Sequence, residues 1–190
     1  EYRDAGELEL IHTPGVKTIA DLTRFLNAGP EYLIKTLIFK TSEEEYVIVL
    51  IRGDLEVNET KLKNYLGVPE IEKADPQEAL KELGIPLGFA GPVKVNGVVV
   101  IADNSVKNIR GAVTGANKKD YHFKNVNAGR DFTPGSYTDI RLVGEGDRCP
   151  LCGEMLSLFR GIELGHIFKL GDKYTEAFDV SYLDETGDTV

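Results

Sequence analysis

Two apolar runs separated by a short acidic turn place the strongest constraint on the fold of this chain. Residues 33–39 (LIKTLIF) and 46–51 (YVIVLI) are rich in β-branched and other apolar side chains, and residues 42–45 (SEEE) lie between them. Short runs of this composition on either side of a polar turn are typical of two paired strands. The sequence therefore predicts a strand pair in the core of the fold.

Three segments carry the signals of a helix start. Each has a Thr, Asn or Asp that would cap the first turn, and two of the segments end at a glycine. The predicted caps are Thr18, Asn58 and Asp75, and the predicted stops of the second and third helices are Gly67 and Gly84. In the first helix the apolar side chains recur at the spacing of one buried face.

The remaining elements indicate the fold class. Strands are predicted at residues 98–102, 121–126 and 156–159, and the Gly-, Pro- and Asp-rich residues 132–153 are predicted to form loops. Helices and strands mingle without a regular βαβ rhythm. We therefore predict a mixed α/β domain of the α+β class, with a central mixed or antiparallel sheet flanked by helices.

Charge and composition exclude several classes of function. The formal net charge of -9 argues against tight, autonomous binding to nucleic acid, because phosphate neutralisation supplies most of that affinity. Residues 105–130 are locally basic, with Asp120 as their single acid, which fits either a solvated face or a local phosphate-facing surface. No apolar run approaches the roughly 20 residues needed to cross a bilayer, so we expect no membrane partner. A chain with two cysteines is not a disulfide scaffold, so we expect a cytoplasmic protein.

The cysteine pair is weak as a metal signal. Cys149 and Cys152 form one C-x-x-C motif, whereas a structural zinc site needs four protein ligands. The three histidines (His12, His122 and His166) show no metal-ligand spacing. We expect a solvent-facing turn and no metal at the functional site, and a zinc half-site that borrows a histidine is the alternative.

Seven segments of the chain carry recognisable motifs. They are HTPGVKTIADL (12–22), IKTLIFK (34–40), RGDLEVNETKL (52–62), GPVKVNGVVVIAD (91–103), TGANKKDYHF (114–123), GDRCPLCGEML (146–156) and RGIELGHIFKLGDKYTEAF (160–178). In this order they resemble segments of bacterial-type prolyl-tRNA synthetases, and the resemblance covers nearly the whole chain. Ordered matches of this kind are far more specific than any single motif.

The resemblance implies a domain organisation and a reaction. Residues 16–165 would be the editing domain, of the aminoacyl-tRNA deacylase superfamily, and residues 1–15 and 166–190 would be flanks that belong to the synthetase core. The expected reaction is hydrolysis of alanyl-tRNA formed on the proline tRNA, and the expected partners are the aminoacylated 3′ end of that tRNA and the rest of the synthetase chain. The editing domain would need no cofactor, whereas the parent enzyme, expected to be a homodimer, would use ATP and Mg²⁺ to ligate proline.

The resemblance also implies catalytic residues in two loops and one strand. Lys35 matches the editing lysine of the family's KTL motif, although the pattern alone favours a lysine on the exposed face of a half-buried strand. Gly88, Gly91 and Pro92 match a GxxxP loop whose backbone N–H groups would stabilise an oxyanion, as an alternative to an ordinary Gly-Pro turn. Thr36, beside Lys35, is expected to contact the substrate.

Five further residues are assigned to the site through the same resemblance. Ile19 and Leu22 would line the amino acid pocket, although core packing alone explains both. Asn117 would contact the terminal adenosine or only shape a turn. Asp147 and His166 would take part in editing, with a loop cap and a buried structural histidine as the respective alternatives.

Two other functions remain open at this stage. One is a related free-standing deacylase that acts on another aminoacyl-tRNA, such as cysteinyl-tRNA; the synthetase-like residues 160–178 count against it. The other is a non-catalytic module that positions the tRNA acceptor end, against which the acidic net charge counts. Since no serine or cysteine nucleophile with a nearby base is evident, we expect a positioned water to attack the ester.

Overall fold

A computed structural model describes residues 6–189 of the chain, and residues 1–5 of the predicted N-terminal flank lie outside it, as does residue 190. The chain divides into two compact units, of which the first ends at Val143 and the second begins at Gly144. The domain borders predicted after residues 15 and 165 stay predictions.

The first unit carries all eight strands found within residues 6–189, arranged in two sheets. They are β1 (Glu9–His12), β2 (Ile34–Thr41), β3 (Tyr46–Arg52), β4 (Ile71–Lys73), β5 (Val99–Asp103), β6 (Ala112–Gly115), β7 (Tyr121–Val126) and β8 (Ser136–Thr138). One sheet has the order β4-β2-β3-β5-β8 and the other the order β1-β7-β6. The predicted mixed α/β class is therefore confirmed.

The predicted strand pair forms the middle of the five-stranded sheet. β2 and β3 pair antiparallel, with Lys35 opposite Ile51 and Phe39 opposite Val47. β3 then pairs parallel with β5, and β5 pairs parallel with β8, so the sheet is mixed. Successive residues of β3 enter two different hydrophobic clusters, because side chains alternate between the faces of a strand and both faces of this strand are covered.

The second sheet is antiparallel throughout and was only partly predicted. β7 was expected at residues 121–126 and is found there, whereas β1 and β6, which flank it, were not predicted. β1 is a short edge strand with mostly exposed side chains, so it lacks the apolar alternation that reveals a half-buried strand. β4 and β8 have three residues each, which is too short for an alternation to be recognised.

The three predicted helices are confirmed, together with their caps. They are α1 (Ile19–Leu26), α2 (Glu59–Leu66) and α3 (Pro76–Leu83), and the caps Thr18, Asn58 and Asp75 accept hydrogen bonds from backbone N–H groups of the first turns. Gly67 and Gly84 follow the second and third helices in the left-handed conformation, with φ of 70° and 69°. Glycine adopts this conformation without the steric cost of a Cβ, which explains both stops.

The second unit has little regular structure. Its helix α4 (Lys173–Ala177) was not predicted, and the strand predicted at residues 156–159 is wrong. These residues have no strand partner within the described part of the chain, and most of their side chains are exposed. An apolar run alone does not make a strand when no neighbouring strand takes up its backbone hydrogen bonds.

The cysteine motif forms a tight turn in the second unit. The Cys149 N–H donates to the Glu154 carbonyl at 2.8 Å, and the Gly153 N–H donates to the Cys149 carbonyl at 2.9 Å. Hydrogen bonds from the backbone N–H groups of Cys152 and Leu151 lower the pKa of the Cys149 thiol. Both cysteines are free thiols, and residues 6–189 contain no cluster of three His, Cys, Asp or Glu side chains that could hold a metal ion.

None of the described helices is long and apolar enough to cross a membrane. The apolar side chains of the first unit instead form three buried clusters, two of which cover the faces of the five-stranded sheet. The third cluster joins Val16, Leu22, Leu33 and Val113 beneath α1. It fixes the position of α1 against β6, which matters for the site described below.

The packing against the five-stranded sheet predicts that two helical leucines contribute differently to the free energy of unfolding. Leu62 in α2 is fully buried, whereas Leu80 in α3 is 52% exposed. Leu62→Ala should lower the free energy of unfolding by about 2–5 kcal/mol, because it leaves a cavity in the core. Leu80→Ala should change it by about 0.5 kcal/mol or less. Urea denaturation of both variants checks this, and equal losses would contradict the assigned packing.

Candidate functional site

A cavity of about 250 Å³ lies in the first unit. It opens where α1, the loop before α1, β2, the loop of residues 88–91 and the β6–β7 hairpin meet. Its walls are formed by Lys17, Thr18, Ile19, Leu22, Ile34, Lys35, Thr36, Leu37, Gly88, Ala90, Thr114, Gly115 and His122. Five of the residues that the sequence predicted for the site, namely Ile19, Leu22, Lys35, Thr36 and Gly88, are therefore brought together here.

The apolar wall of the cavity belongs to α1. The Thr18 hydroxyl accepts a hydrogen bond from the Asp21 N–H at 3.1 Å and so fixes the first turn of this helix. Ile19 and Leu22 lie one turn apart on the face that reaches the cavity. Leu22 is also buried in the cluster beneath α1, so it serves the core and the cavity wall together.

The cationic group of the cavity is Lys35 in β2. Its side chain is 16% exposed, and its Nζ lies 2.7 Å from Oε1 of Glu56, whose side chain is 70% exposed. An ion pair of this kind with one exposed partner is weak, so a bound anion or carbonyl oxygen would compete with Glu56 for the ammonium group. Lys35 is thus held at the cavity wall by a partner that a ligand can displace.

Two hydroxyl groups of the cavity are unused by the protein. The Oγ1 atoms of Thr36 and Thr114 are buried and have no hydrogen-bond partner within the described part of the chain. Buried hydroxyl groups are almost always hydrogen-bonded, because leaving one unsatisfied costs about 1–3 kcal/mol. Both residues line the cavity, so a polar ligand bound there would satisfy them.

The loop of residues 88–92 is fixed against the β6–β7 hairpin by contact between main chains. A Cβ on Gly91 would lie 1.8 Å from the carbonyl oxygen of Gly115, so no other residue fits there. The Asn117 side chain accepts a hydrogen bond from the Gly91 N–H at 2.8 Å and donates one to the Val93 carbonyl at 3.1 Å. The predicted contact between Asn117 and the terminal adenosine stays a prediction.

The hydrogen bonds of Asn117 determine which N–H groups of the loop of residues 88–92 are able to bind a ligand. The N–H of Gly91 is occupied by Asn117, and Pro92 has no N–H. The N–H groups of Gly88 and Ala90 have no hydrogen-bond partner among the described residues, and both residues line the cavity. Any donor pair for an oxyanion therefore comes from Gly88 and Ala90, and Gly91 instead makes the close approach possible.

His122 is the polar residue of the cavity that sequence reasoning missed. It lies in β7, is 4% exposed, and its Nδ1 is 2.6 Å from Oγ1 of the buried Thr13. Its ring lies 5.7 Å from that of Phe89. Burial lowers the pKa of His122 to about 4, so the imidazole is neutral at pH 7.

A local signal for His122 exists in the sequence. It occupies the second position of the predicted strand 121–126, between two aromatic residues, and β-strand alternation points its side chain to the opposite face from theirs. A single polar residue on the inner face of a strand needs a partner or a ligand.

The other two predicted catalytic residues belong to the second unit. The Asp147 carboxylate accepts a hydrogen bond from the Gly144 N–H at 2.6 Å, as a loop cap would. The Nδ1 of His166 lies 2.9 Å from the Glu163 carboxylate, and its ring stacks on Phe168. Neither residue is among those lining the cavity, and the editing roles predicted for both stay predictions.

The depressed pKa of His122 predicts a pH-dependent stability. An unfolded His122 takes up a proton near pH 6.5, whereas the folded residue does so only near pH 4. Its contribution to the free energy of unfolding is therefore present above pH 6.5 and is lost as the pH falls towards 4, by about 3 kcal/mol in total. Urea denaturation between pH 7 and 4 should show a steeper loss for the native chain than for His122→Gln, and parallel curves would contradict the burial of a neutral imidazole.

Comparisons with known proteins agree on one family. The sequence profile of the aminoacyl-tRNA editing domain matches residues 13–132, which include every residue that lines the cavity. Curated relatives include the proline–tRNA ligase of Brachyspira hyodysenteriae (strain ATCC 49526 / WA1), which is 51% identical over 185 residues, covering 97% of this chain and 32% of the relative. The proline–tRNA ligase of Thermotoga maritima (strain ATCC 43589 / DSM 3109 / JCM 10099 / NBRC 100826 / MSB8) is 47% identical over 188 residues, covering 99% of this chain and 32% of the relative.

These relatives are much longer than this chain, which spans about a third of their length. Among solved structures, a protein described as a proposed trans-editing enzyme for prolyl tRNA synthetase matches with a TM-score of 0.60 at 16% identity, over 72% of this chain and 87% of its own. The crystal structure of hypothetical protein APE2540 matches with a TM-score of 0.60 at 20% identity, over 72% of this chain and 92% of its own. At these identities the likeness extends to the fold alone.

Proposed function

The chain belongs to the aminoacyl-tRNA editing domain family, and from this premise we propose that its first unit hydrolyses the ester of alanyl-tRNA formed on the proline tRNA. The observation that carries the proposal is the cavity, which combines an apolar wall, a lysine, two unpaired hydroxyl groups and two unpaired N–H groups. A small apolar side chain on an ester is the ligand that suits this combination.

The choice of alanine follows from the relatives and from the energetics of selection. The curated relatives cited above are described as proline–tRNA ligases, so the error to be corrected is an amino acid that enters a site built for proline. A pocket loses only about 1–3 kcal/mol for each missing methylene, so binding discriminates weakly against the smaller alanine. A second and smaller pocket, with Ile19 and Leu22 as its wall, would admit alanine and exclude proline.

Hydrolysis would proceed by attack of a water on the ester carbonyl carbon. The water oxygen bonds to this carbon, the bond from the carbon to the ribose oxygen breaks, and one water proton ends on that ribose oxygen. The N–H groups of Gly88 and Ala90 would stabilise the negative charge that develops on the carbonyl oxygen. Lys35 would hold the substrate by its ribose or terminal phosphate, releasing Glu56 as the substrate binds.

The proposed reaction uses no cofactor in this chain. The groups that we assign to hydrolysis of the ester are a positioned water, the backbone N–H groups of the loop and Lys35. The longer parent protein would bind ATP and Mg²⁺ to ligate proline, would act as a homodimer, and would supply most of the affinity for tRNA. An acidic editing domain is compatible with that division of work, because the phosphate contacts need not lie on this chain.

The role of Lys35 predicts that its substitution slows hydrolysis of alanyl-tRNA, whereas substitution of a matched lysine in the same strand does not. Lys35 and Lys40 both lie in β2, have side chains that are 16% and 18% exposed, and pair with exposed glutamates. Lys40 is not among the cavity residues. Lys35→Met should slow single-turnover hydrolysis of alanyl-tRNA by about 100-fold, because the rate falls by about that much when a substrate is misplaced. Lys40→Met should leave the rate unchanged.

Three results of this experiment would be informative. If Lys35→Met hydrolysed alanyl-tRNA at the native rate, Lys35 would have no role in the proposed reaction. Equal losses in both variants would mean that the strand, and not the cavity, responds to the substitution. Absence of hydrolysis by the native chain at high enzyme concentration would contradict the proposed activity and favour a module that only positions the tRNA end.

The apolar wall predicts a change of selectivity. Leu22→Ala enlarges the cavity, so hydrolysis of prolyl-tRNA should rise relative to alanyl-tRNA by about 10-fold, corresponding to the contacts of one or two carbon atoms. Leu62→Ala is the control, because it makes the same change at an equally buried site outside the cavity. Single-turnover assays on both esters measure the ratio. An unchanged ratio in Leu22→Ala would contradict selection by this wall.

A further inference from the structure

The buried contact between Thr13 and His122 has a consequence for the chemistry of the cavity. Thr13 is fully buried and does not line the cavity. Its N–H donates to the Asp120 carbonyl at 2.8 Å, and its carbonyl accepts from the Val16 N–H at 3.2 Å. The side chain of Thr13 is therefore carried by a backbone that is fixed on both sides, and its contact with the imidazole is buried.

The hydroxyl group of Thr13 is the donor in its hydrogen bond with Nδ1 of His122. The Thr13 hydroxyl has one proton to donate, and the Nδ1 of His122 is its only hydrogen-bond partner among the described residues. If Nδ1 carried the ring proton and donated it, the hydroxyl proton of Thr13 would be left buried without an acceptor. Donation from Thr13 to Nδ1 pairs the hydroxyl proton with the ring nitrogen and so satisfies both of these atoms.

The opposite nitrogen of the ring then carries the proton. A neutral imidazole has one N–H, so accepting at Nδ1 places the proton on Nε2. Nε2 has no hydrogen-bond partner within residues 6–189, and His122 is one of the residues that line the cavity. The free nitrogen is thus a donor that the protein itself does not use.

We propose that Thr13 is a positioning residue that holds His122 with its proton on Nε2, so that the imidazole presents a hydrogen-bond donor to the substrate. The inference rests on the proposed function for its substrate, an aminoacyl ester. The donor would bind an oxygen of the ester or of the terminal ribose. In this state His122 has no lone pair facing the cavity, so it does not remove the proton of the attacking water. A hydroxyl group of the substrate's ribose would relay this proton, accepting it as it gives its own proton to the leaving ribose oxygen.

Nuclear magnetic resonance of the ring nitrogens tests the proton position without any assay of activity. Long-range ¹H–¹⁵N correlation of the native chain at pH 7 should show His122 protonated at Nε2 and unprotonated at Nδ1. A native His122 with its proton on Nδ1 would overturn the proposal at once. In Thr13→Val, which removes the hydroxyl but keeps the shape, the Nδ1 signal should shift and the ring signals should split or broaden.

Single-turnover hydrolysis of alanyl-tRNA then tests the link to chemistry. Thr13→Val should slow the reaction at least about 10-fold, as losses of a group that orients an imidazole do. Thr13→Ser keeps the hydroxyl and should restore both the ring signals and most of the rate. Thr41→Val is the matched control, because Thr41 is also buried but its hydroxyl binds the Glu43 and Glu45 N–H groups away from the cavity. It should leave the signals of His122 and the rate as in the native chain.

The outcomes separate this inference from the proposed function. A Thr13→Val variant with unchanged ring signals, or with changed signals and an unchanged rate, would overturn the positioning role. If the native chain shows the Nε2 proton and the expected response to Thr13→Val but cleaves no ester, the proposed function fails while the assignment of Thr13 to His122 stands. If Thr13→Val does not fold, the native spectrum and Thr13→Ser still decide the question.

Discussion

Close approach of two main chains at Gly91 and Gly115 makes the cavity possible. A Cβ at Gly91 would collide with the Gly115 carbonyl, and a Cβ at Gly115 would lie 2.2 Å from the Ala90 carbonyl. Because neither residue has a side chain, the loop of residues 88–92 lies directly on the β6–β7 hairpin, and Asn117 locks it there. This contact brings the unpaired N–H groups of the loop to the same cavity as His122 on β7 and Lys35 on β2.

The polar groups of the cavity divide into those that the protein satisfies and those that it leaves for a ligand. Glu56 pairs with Lys35 from an exposed position, and Thr13 satisfies one nitrogen of His122. Thr36 and Thr114 have hydroxyl groups without a hydrogen-bond partner among residues 6–189. Burial of unpaired polar groups is costly, and several of them lie in one cavity beside the apolar face of α1. This is the physical reason for assigning to the cavity a substrate that has a small apolar side chain and a polar ester group.

Local signals in the sequence predict some elements of this fold and not others. The hairpin of β2 and β3 and the capped helices α1, α2 and α3 follow from patterns within about ten residues. The short strands β1, β4, β6 and β8 depend on pairing with distant segments, which no local pattern reveals. Within the site, the resemblance to a family points to Lys35. The alternation of the predicted strand 121–126 points His122 inward, but its partners Thr13 and Phe89 come from distant segments that no local pattern brings together.

The most direct test of the central claim is a crystal structure of the chain with 3′-alanylamido adenosine, in which an amide replaces the ester and resists hydrolysis. The account predicts that the alanyl methyl group lies against Ile19 and Leu22, that the carbonyl oxygen lies within hydrogen-bond distance of the Gly88 and Ala90 N–H groups, and that Nε2 of His122 donates to the ligand. Binding of the analogue at another place, with the cavity unaltered, would contradict the account.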